Sequence, residues 1–216
     1  MSTQSIRFEL LMDAGNGAQK AGDMLIKLLA KKGLYVFIEP IIPAEISPPK
    51  RTPYSLSGVV IRLASEELLN IGSNTNFILV EHDILAKRRL SDQEYAEGCE
   101  VLMDYGFEKR TPEGYAEIEK MASDQHLNLK PFTMNEESEA LIKELRGNGK
   151  NMYYLGVLSK IFNVDEGDVI DTIKQTFKKL SDDILSKNID IFKHGYQQST
   201  SITQTSFNIK TNGVAD

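Results

Sequence analysis

The residues best suited to chemistry lie in a glycine loop near the start of the chain. Gly15, Asn16 and Gly17 stand between an apolar run of strand length and a segment with apolar residues at helical spacing. Small residues at such a junction let backbone N–H groups approach a phosphate, helped by the helix dipole. Gly22 has the wrong spacing for a G-x-G-x-x-G dinucleotide fingerprint. Two interpretations stay open: an anion-binding loop, or a tight turn that lets helix and strand pack closely.

Cysteine and histidine usage limits redox and metal chemistry. Cys99 is the only cysteine, so the chain supplies neither an intrachain disulfide nor the four thiolates of an iron–sulfur cluster. His82, His126 and His194 are widely separated and show no H-E-x-x-H spacing, so we expect no metal site. His82 and Asp83 follow an apolar run without a nucleophile nearby, and we interpret them as a helix cap and a surface residue.

The composition is typical of a soluble domain. The chain has 216 residues, 41% hydrophobic and 26% charged, and its net charge of −6 gives no field suited to nucleic acid. We expect no signal peptide, and no segment reaches the roughly 20 apolar residues of a membrane span. These features predict a cytoplasmic protein with one domain, residues 1–196. Residues 197–216, rich in Ser, Thr, Gln and Asn, are predicted to be a polar tail or linker.

The elements around the glycine loop form the clearest unit. Residues 6–12 and 34–38 are apolar runs of strand length, and residues 18–32 carry apolar side chains at helical spacing. Gly33 suits the end of that helix. We therefore predict a βαβ unit with parallel strands and a right-handed crossover.

Strands and helices then alternate until the pattern becomes helical. A proline-rich connection, residues 40–53, is unusually long for a compact domain. Ser91 with Glu94 is a capping-box pattern that predicts a helix start, and Thr111 before Pro112 predicts another. This order favours an α/β fold: a Rossmann-like, mainly parallel sheet flanked by helices, with a helical C-terminal part. The other predicted strands are 58–63, 77–80, 101–105 and 127–132, and the C-terminal helices are 136–146, 151–162, 165–180 and 181–193.

Several segments, in order, resemble one known family. Residues 14–37 (AGNGAQKAGDMLIKLLAKKGLYVF) resemble the opening of the gamma domain or subunit of pyruvate, 2-oxoglutarate and ketoisovalerate:ferredoxin oxidoreductases. The resemblance runs from about residue 6 to 196, with departures at Met12 and Ala14, which replace family glycines, and at residues 53–55, where the family has R-G-G. The later matching segments are VIRL (60–63), NFILVEHD (76–83), NMYYLG (151–156), and Asn188, Phe192, Gly195 and Tyr196.

The resemblance implies membership of an enzyme complex. In this family a 2-oxoacid is oxidatively decarboxylated on thiamine diphosphate, and the acyl group passes to coenzyme A. Thiamine diphosphate and the iron–sulfur clusters are expected on alpha, beta and delta subunits or domains, with ferredoxin as electron acceptor. For this chain the resemblance implies a role in assembly and at the coenzyme A side of the site, without turnover in isolation. A second copy of the chain is a further candidate partner.

The resemblance also implies binding residues but no catalytic residue on this chain. Gly15, Asn16 and Gly17 are expected to supply backbone donors, and Arg51 or Arg62 to contact a phosphate. For Arg62, within an apolar strand, a carboxylate partner at the sheet edge is the alternative. Two other functions stay open: a degenerate scaffold domain, and an independent nucleotide-binding Rossmann-like protein. The sequence selects neither the 2-oxoacid nor between a separate subunit and a piece of a fused gamma–alpha subunit.

Overall fold

The computed structural model describes residues 5–92 and 95–208. Within them the chain forms a six-stranded sheet with helices on both faces, which confirms the predicted α/β class. The strands are β1 (Ser5–Asp13), β2 (Tyr35–Ile41), β3 (Leu56–Ala64), β4 (Phe77–Val80), β5 (Glu100–Asp104) and β6 (Asn128–Phe132). They lie in the order β2-β3-β1-β4-β5-β6, so β2 and β6 are the edges of the sheet.

Helices pack on the two faces of the sheet over two separate cores. They are α1 (Ala18–Lys31), α2 (Asp83–Asp92), α3 (Pro112–Asp124), α4 (Glu136–Glu144), α5 (Lys150–Ile161), α6 (Glu166–Thr176) and α7 (Asp182–Ile202). The larger core lies under α1, α5, α6 and α7, and the smaller one under α2 and α3. Side chains of β1 alternate between them: Phe8 and Leu10 face the larger core, and Leu11 faces the smaller. Within the described residues, no helix combines the length and apolar character needed to cross a membrane.

The third strand runs against its neighbours. β1, β4, β5 and β6 pair in parallel, whereas β3 is antiparallel to both β1 and β2. β1 and β2 therefore point the same way, as predicted, but β3 lies between them and splits the βαβ unit. The proline-rich connection is the cause, because residues 42–55 return the chain to the sheet at the end where β2 finishes.

α5 is buried along most of its length, and backbone contact with α7 fixes its position. Tyr153 and Tyr154 are fully buried. A Cβ atom added to Gly195 of α7 would lie 2.1 Å from the carbonyl oxygen of Tyr153, so only glycine permits this approach. The amino-terminal end of α5 is therefore held firmly at the carboxyl edge of the sheet.

The prediction that a helix begins at Ser91 is wrong. Ser91 lies in the last turn of α2, which begins at Asp83. Leu85 and Leu90 are buried and hold this earlier helix on the sheet. Ser91 is thus already helical where a capping box needs a non-helical residue. Glu94, the other half of the pattern, lies outside the described residues.

Part of the segment expected to be a tail packs against the domain within its described residues, 197–208. α7 runs on past residue 196, where the domain boundary was predicted. Beyond the helix, the ring of Phe207 stacks on those of Phe77 and Phe162, with centroids 5.6 Å apart in each pair. Residues 209–216 lie outside the described part of the chain. The polar composition hides the packing because, between residues 197 and 208, only Ser199, Ile202 and Thr203 are buried, and two of these are small polar residues.

Candidate functional site

The carboxyl ends of β1 and β4 open into a crevice. The two strands are parallel neighbours, but α1 follows β1 onto the face of the larger core and α2 follows β4 onto the other face. Ligands of open α/β sheets bind at such a point, outside the carboxyl ends of the strands. The fold therefore directs attention to residues 14–17 after β1 and residues 81–82 after β4.

The glycine loop presents bare backbone at the start of α1. Gly15 and Gly17 have φ values of 84° and 88°, in the left-handed region that favours glycine. No atom lies within 4 Å of a Cβ added to Gly15, so this residue faces open space. A Cβ on Gly17 would lie 2.5 Å from Nδ2 of Asn151. Gly15 is accessible to a ligand, whereas Gly17 packs against the side chain of Asn151.

The start of α5 lies beside the glycine loop. Gly149 caps α5 with a φ of 101°. Nδ2 of Asn151 donates a hydrogen bond to the carbonyl oxygen of Gly17 at 3.3 Å. The amino-terminal ends of α1 and α5 are thus adjacent, and the positive ends of both helix dipoles favour an anion at this place.

A groove of about 630 Å³ opens beside these two helix ends. The glycine loop, Lys20 and Arg146 contribute polar lining, and Leu180 and Ile184 contribute apolar lining. The side chains of Lys20 and Arg146 are exposed and form no ion pair within the described residues. Their charges are therefore available to an anionic ligand that also has an apolar portion.

The third cation of the groove is already neutralised. Nζ of Lys187 lies 3.2 Å from a carboxylate oxygen of Glu144 and 2.9 Å from one of Asp183. Exposed pairs of this kind contribute little to stability. They do remove Lys187 as a free partner, so Lys20 and Arg146 are the stronger candidates for contact with a ligand.

The crevice itself is filled by a carboxylate of the chain. Glu81 is 2% exposed. Its oxygens accept hydrogen bonds from the N–H of Asp13 at 2.9 Å and from Nδ2 of Asn16 at 2.8 and 2.9 Å. Nζ of Lys150, in the first turn of α5, donates to Oε1 at 2.7 Å. Glu81 thereby joins the ends of β1 and β4 to the glycine loop and to α5.

A second buried carboxylate anchors the proline-rich connection. Asp13 accepts hydrogen bonds from the hydroxyl of Ser55 and from the N–H of Arg51 at 3.1 Å. Nε2 of His82 lies 3.1 Å from Oδ1 of Asp13, although the angle is outside the range of a hydrogen bond. Burial raises the pKa of Asp13, but the contacts with His82 and Ser55 outweigh it and leave the pKa below its ordinary value.

The interpretation of Asp83 as a surface residue is wrong, whereas His82 does cap α2: it directly precedes the helix, and its carbonyl oxygen accepts a hydrogen bond from the N–H of Ala86 at 3.1 Å. His82 is fully buried and Asp83 is 4% exposed. Asp83 is buried because it pairs with Arg51, whose Nη2 lies 2.9 Å from Oδ1, and because Gly114 leaves room for it. A Cβ on Gly114 would lie 2.3 Å from Oδ2 of Asp83. A charged residue is buried here only because its partner is supplied from a distant segment.

The structure separates the two arginines predicted to contact a phosphate. Arg51 lies at the same end of the sheet as the glycine loop, but its guanidinium pairs with Asp83 and lies 4.2 Å from the ring centroid of Phe107. Arg62 lies opposite Arg7 near the other end of β1. Its side chain donates to Asn70 and to Ser5, and within the described residues it has no carboxylate partner. The predicted cluster therefore keeps Gly15, Asn16, Gly17 and Arg51 without Arg62.

Asp104, at the end of β5, is the fourth buried carboxylate at this edge, after Glu81, Asp13 and Asp83. It is 5% exposed and accepts hydrogen bonds from the hydroxyl of Tyr154 at 2.9 Å and the N–H of Gly106 at 2.8 Å. Burial raises the pKa of Asp104 to about 6, against the opposing effects of Gly106, Lys150 and Tyr154. This carboxyl therefore changes charge nearer to neutral pH than an ordinary aspartate does.

Comparison with known proteins identifies the family. The model of the pyruvate ferredoxin/flavodoxin oxidoreductase family matches residues 13–198. The chain belongs to this family. Comparison with curated protein sequences gives no match.

Solved structures share the fold of this family member. The 2-oxoglutarate:ferredoxin oxidoreductase from Magnetococcus marinus, solved with 2-oxoglutarate, coenzyme A and succinyl-CoA bound, is 22% identical with a TM-score of 0.72. The match covers 96% of this chain and 33% of that chain, so this family member spans a third of the length of that protein.

Two separate subunits match over almost their whole length. The pyruvate oxidoreductase subunit PORC from Thermotoga maritima is 16% identical, with a TM-score of 0.60, 90% of this chain covered and 96% of that chain. The keto/oxoacid ferredoxin oxidoreductase gamma subunit from Geobacter sulfurreducens is 12% identical, with a TM-score of 0.62, 92% of this chain covered and 98% of that chain. At these identities the likeness establishes the fold.

Sequence reasoning missed five residues of the site in this oxidoreductase family member: Lys20, Glu81, Arg146, Lys150 and Asn151. The sequence pattern could have identified Glu81, because a charged residue directly after the apolar strand 77–80 is expected at the carboxyl edge of the sheet. Lys150 and Asn151 follow glycines at the start of a helix, which is also a recognisable pattern. Lys20 had no such signal, because an exposed lysine on a helix is ordinary.

Proposed function

We propose that this chain serves as the gamma unit of a thiamine-diphosphate-dependent 2-oxoacid:ferredoxin oxidoreductase. The complete enzyme would convert a 2-oxoacid and coenzyme A to acyl-CoA and carbon dioxide, while the two electrons released reduce ferredoxin. The family match over residues 13–198 carries this proposal. Alpha and beta subunits, with a delta subunit as a further candidate, are the partners that would complete the enzyme.

The redox groups belong on those partners. Cys99 is the only cysteine of the sequence and is buried. Burial, together with the nearby carboxylates of Glu9 and Glu100, raises the pKa of the Cys99 thiol to about 12. A thiol that stays protonated is a poor metal ligand. This chain therefore contributes structure and binding surface to the electron-transfer chemistry, and its partners contribute the clusters.

For this chain we propose a role in assembly and in binding the phosphate end of coenzyme A. Of the predicted backbone donors, Gly15 and Gly17 offer their N–H groups beside two helix ends, whereas the N–H of Asn16 already donates to the carbonyl oxygen of Asp13 at 3.0 Å. Lys20 and Arg146 offer charges that lack ion-pair partners in the described structure. Coenzyme A carries phosphates on a long, less polar arm. The groove has the matching combination of cations and apolar side chains.

Reconstitution with partner subunits tests the assembly role. The chain is expected to co-purify with alpha and beta subunits, and 2-oxoacid oxidation is expected only in the assembled complex. The measurement is coenzyme A-dependent ferredoxin reduction by the isolated chain and by the complex. Turnover of a 2-oxoacid by the isolated chain would contradict the proposal.

Titration calorimetry of the complex with coenzyme A tests the groove. Lys20→Ala and Arg146→Ala should each weaken affinity by about tenfold, because each removes one charge-assisted contact. Lys27→Ala is the matched control, since Lys27 is an exposed lysine of the same helix outside the groove. Equal affinities for all three variants would exclude this groove as the coenzyme A site and leave the assembly role alone.

A further inference from the structure

The carboxylate of Glu81 occupies the place where an open α/β sheet receives its ligand. It lies between the carboxyl ends of β1 and β4, is 2% exposed, and is surrounded by donors. These are the N–H of Asp13, the side-chain amide of Asn16 and the ammonium of Lys150, all between 2.7 and 2.9 Å. A bound carboxylate or phosphate would be recognised by donors of the same types.

The donors have few other acceptors. Within the described residues, the only ion pair of Lys150 is with Glu81, and its other close neighbour is the ring of Phe107 at 5.3 Å. The carboxylate of Asp104 acts on Lys150 only through longer-range attraction, since its own hydrogen bonds come from Tyr154 and Gly106. Removal of Glu81 would leave a largely buried ammonium without an anion, which is costly in a protein interior.

We propose that Glu81 is an internal anion that closes this crevice, and that the crevice becomes a binding site for a small carboxylate when its side chain is removed. The chain therefore takes no phosphate between β1 and β4. An anion that binds at the glycine loop is directed instead to the groove on the side of α5 and α7. This inference concerns the crevice and does not depend on coenzyme A binding in the groove.

The geometry defines a matched probe. Glu81→Ala removes a CH₂–COO⁻ group, and acetate has the same carboxylate with one methyl carbon. Acetamide has nearly the same shape without the charge, so it separates filling of the cavity from binding of an anion. The experiment uses the full chain, with thermal unfolding followed in acetate, in acetamide and in chloride at the ionic strength of the acetate sample.

Acetate is expected to raise the melting temperature of Glu81→Ala by roughly 2 to 4 °C over chloride, since a ligand that binds only the folded state stabilises it. Acetamide should give no comparable rise, and the wild-type chain should not respond to acetate. Glu81→Ala with Lys150→Met should lose the response, because the cation that attracts acetate is gone.

Glu100→Ala is the matched control. Glu100 is also a buried carboxylate, but it accepts hydrogen bonds from Thr203 and Thr205 and has no ion pair within the described residues. Its removal leaves no buried cation, so acetate should have no specific effect. An equal response of both alanine variants, or no difference between acetate and acetamide, would overturn the proposal. If Glu81→Ala does not fold in chloride, failure of acetate to restore the native state overturns it as well.

Discussion

Gly156 of α5 meets the carbonyl oxygen of Phe192 in α7 at a distance that leaves no space for a side chain. A Cβ atom on Gly156 would lie 2.2 Å from that oxygen. With the reciprocal contact between Gly195 and Tyr153, this fixes how α5 lies on α7. Because the first turn of α5 carries Lys150 and Asn151, helix packing in the larger core sets the geometry at the crevice and the groove.

Gly156→Ala should therefore destabilise the chain by about 2 kcal/mol or more, since the overlap is with backbone and the helices must separate. Urea unfolding at constant pH gives the free energy directly. Gly98→Ala is the control: Gly98 has a φ of 79° but open space around its Cβ, so only backbone strain applies. That strain costs about 1–2 kcal/mol. A smaller loss for Gly156→Ala than for Gly98→Ala would show that α5 and α7 are less tightly packed.

Gly15 and Gly17 allow the cost of backbone strain to be compared with the cost of a steric overlap. Gly15 and Gly17 have similar φ values, but only Gly17 has a neighbour, Asn151, within reach of an added Cβ. Gly15→Ala should cost about 1–2 kcal/mol from backbone strain alone. Gly17→Ala should cost about 1–3 kcal/mol more, because Asn151 must move.

The double variant Gly17→Ala with Asn151→Ala separates the two contributions to the cost at Gly17. Removing the Asn151 side chain should recover the steric part and leave the strain. Chemical unfolding of the single and double variants supplies the cycle. If the two substitutions were simply additive, the contact between Asn151 and Gly17 would have no energetic importance.

The raised pKa of Asp104 predicts how the free energy of unfolding depends on pH. The pKa of Asp104 is raised from 3.8 to about 6 in the folded chain. Between these values the folded state keeps a proton that the unfolded state has released. This group therefore stabilises the fold fully below pH 3.8, and its contribution is lost as pH rises toward 6.

Asp104→Asn removes that dependence while keeping a similar shape. The stability of the variant relative to wild type should rise by about 1.4 kcal/mol per pH unit across this window. Denaturant unfolding at pH 4, 5, 6 and 7 measures the difference, which should level off above the folded pKa of about 6. A constant difference over the whole range would mean that the pKa of Asp104 is not raised.

The packed position of Phe207 predicts that the C-terminal segment contributes to stability. Phe207→Ala should cost about 1–3 kcal/mol, less than for a fully buried ring because Phe207 is half-buried. Leu69→Ala is the comparison for an apolar side chain that is 85% exposed, and it should have little effect. Thermal unfolding of the two variants measures both. If Phe207→Ala and Leu69→Ala had the same melting temperature, residues 203–208 would not take part in the cooperative unfolding of the domain.

Local patterns predicted the elements well and their long-range relations poorly. The strand, glycine loop and helix at the start of the chain follow from residue types within about 30 positions, and the structure has them. The direction of β3 was not predictable in that way, because periodicity is the same for parallel and antiparallel strands. The position of Glu81 depends on donors near residues 13, 16 and 150, which come together only in the folded chain.

The wrong helix start at Ser91 and the separation of Arg62 from Arg51 have the same cause: local sequence patterns do not show contacts between distant segments. Ser91 matched a helix start because four residues suffice for that pattern, whereas its true position follows from the burial of Leu85 and Leu90. Arg51 lies in the proline-rich connection and Arg62 in an apolar strand, and neither sequence setting shows which end of the sheet the guanidinium reaches. Only the antiparallel pairing of β3 places Arg62 near the far end of the sheet and leaves Arg51 beside the crevice.

Each edge strand of the sheet contains a proline. Pro40 lies in β2 and Pro131 in β6. Proline has no N–H to donate, so a strand arriving at either edge would meet a gap in its hydrogen-bond ladder. The sheet is thereby protected at both edges against pairing with an exposed strand of another molecule, the first step of growth into an aggregate.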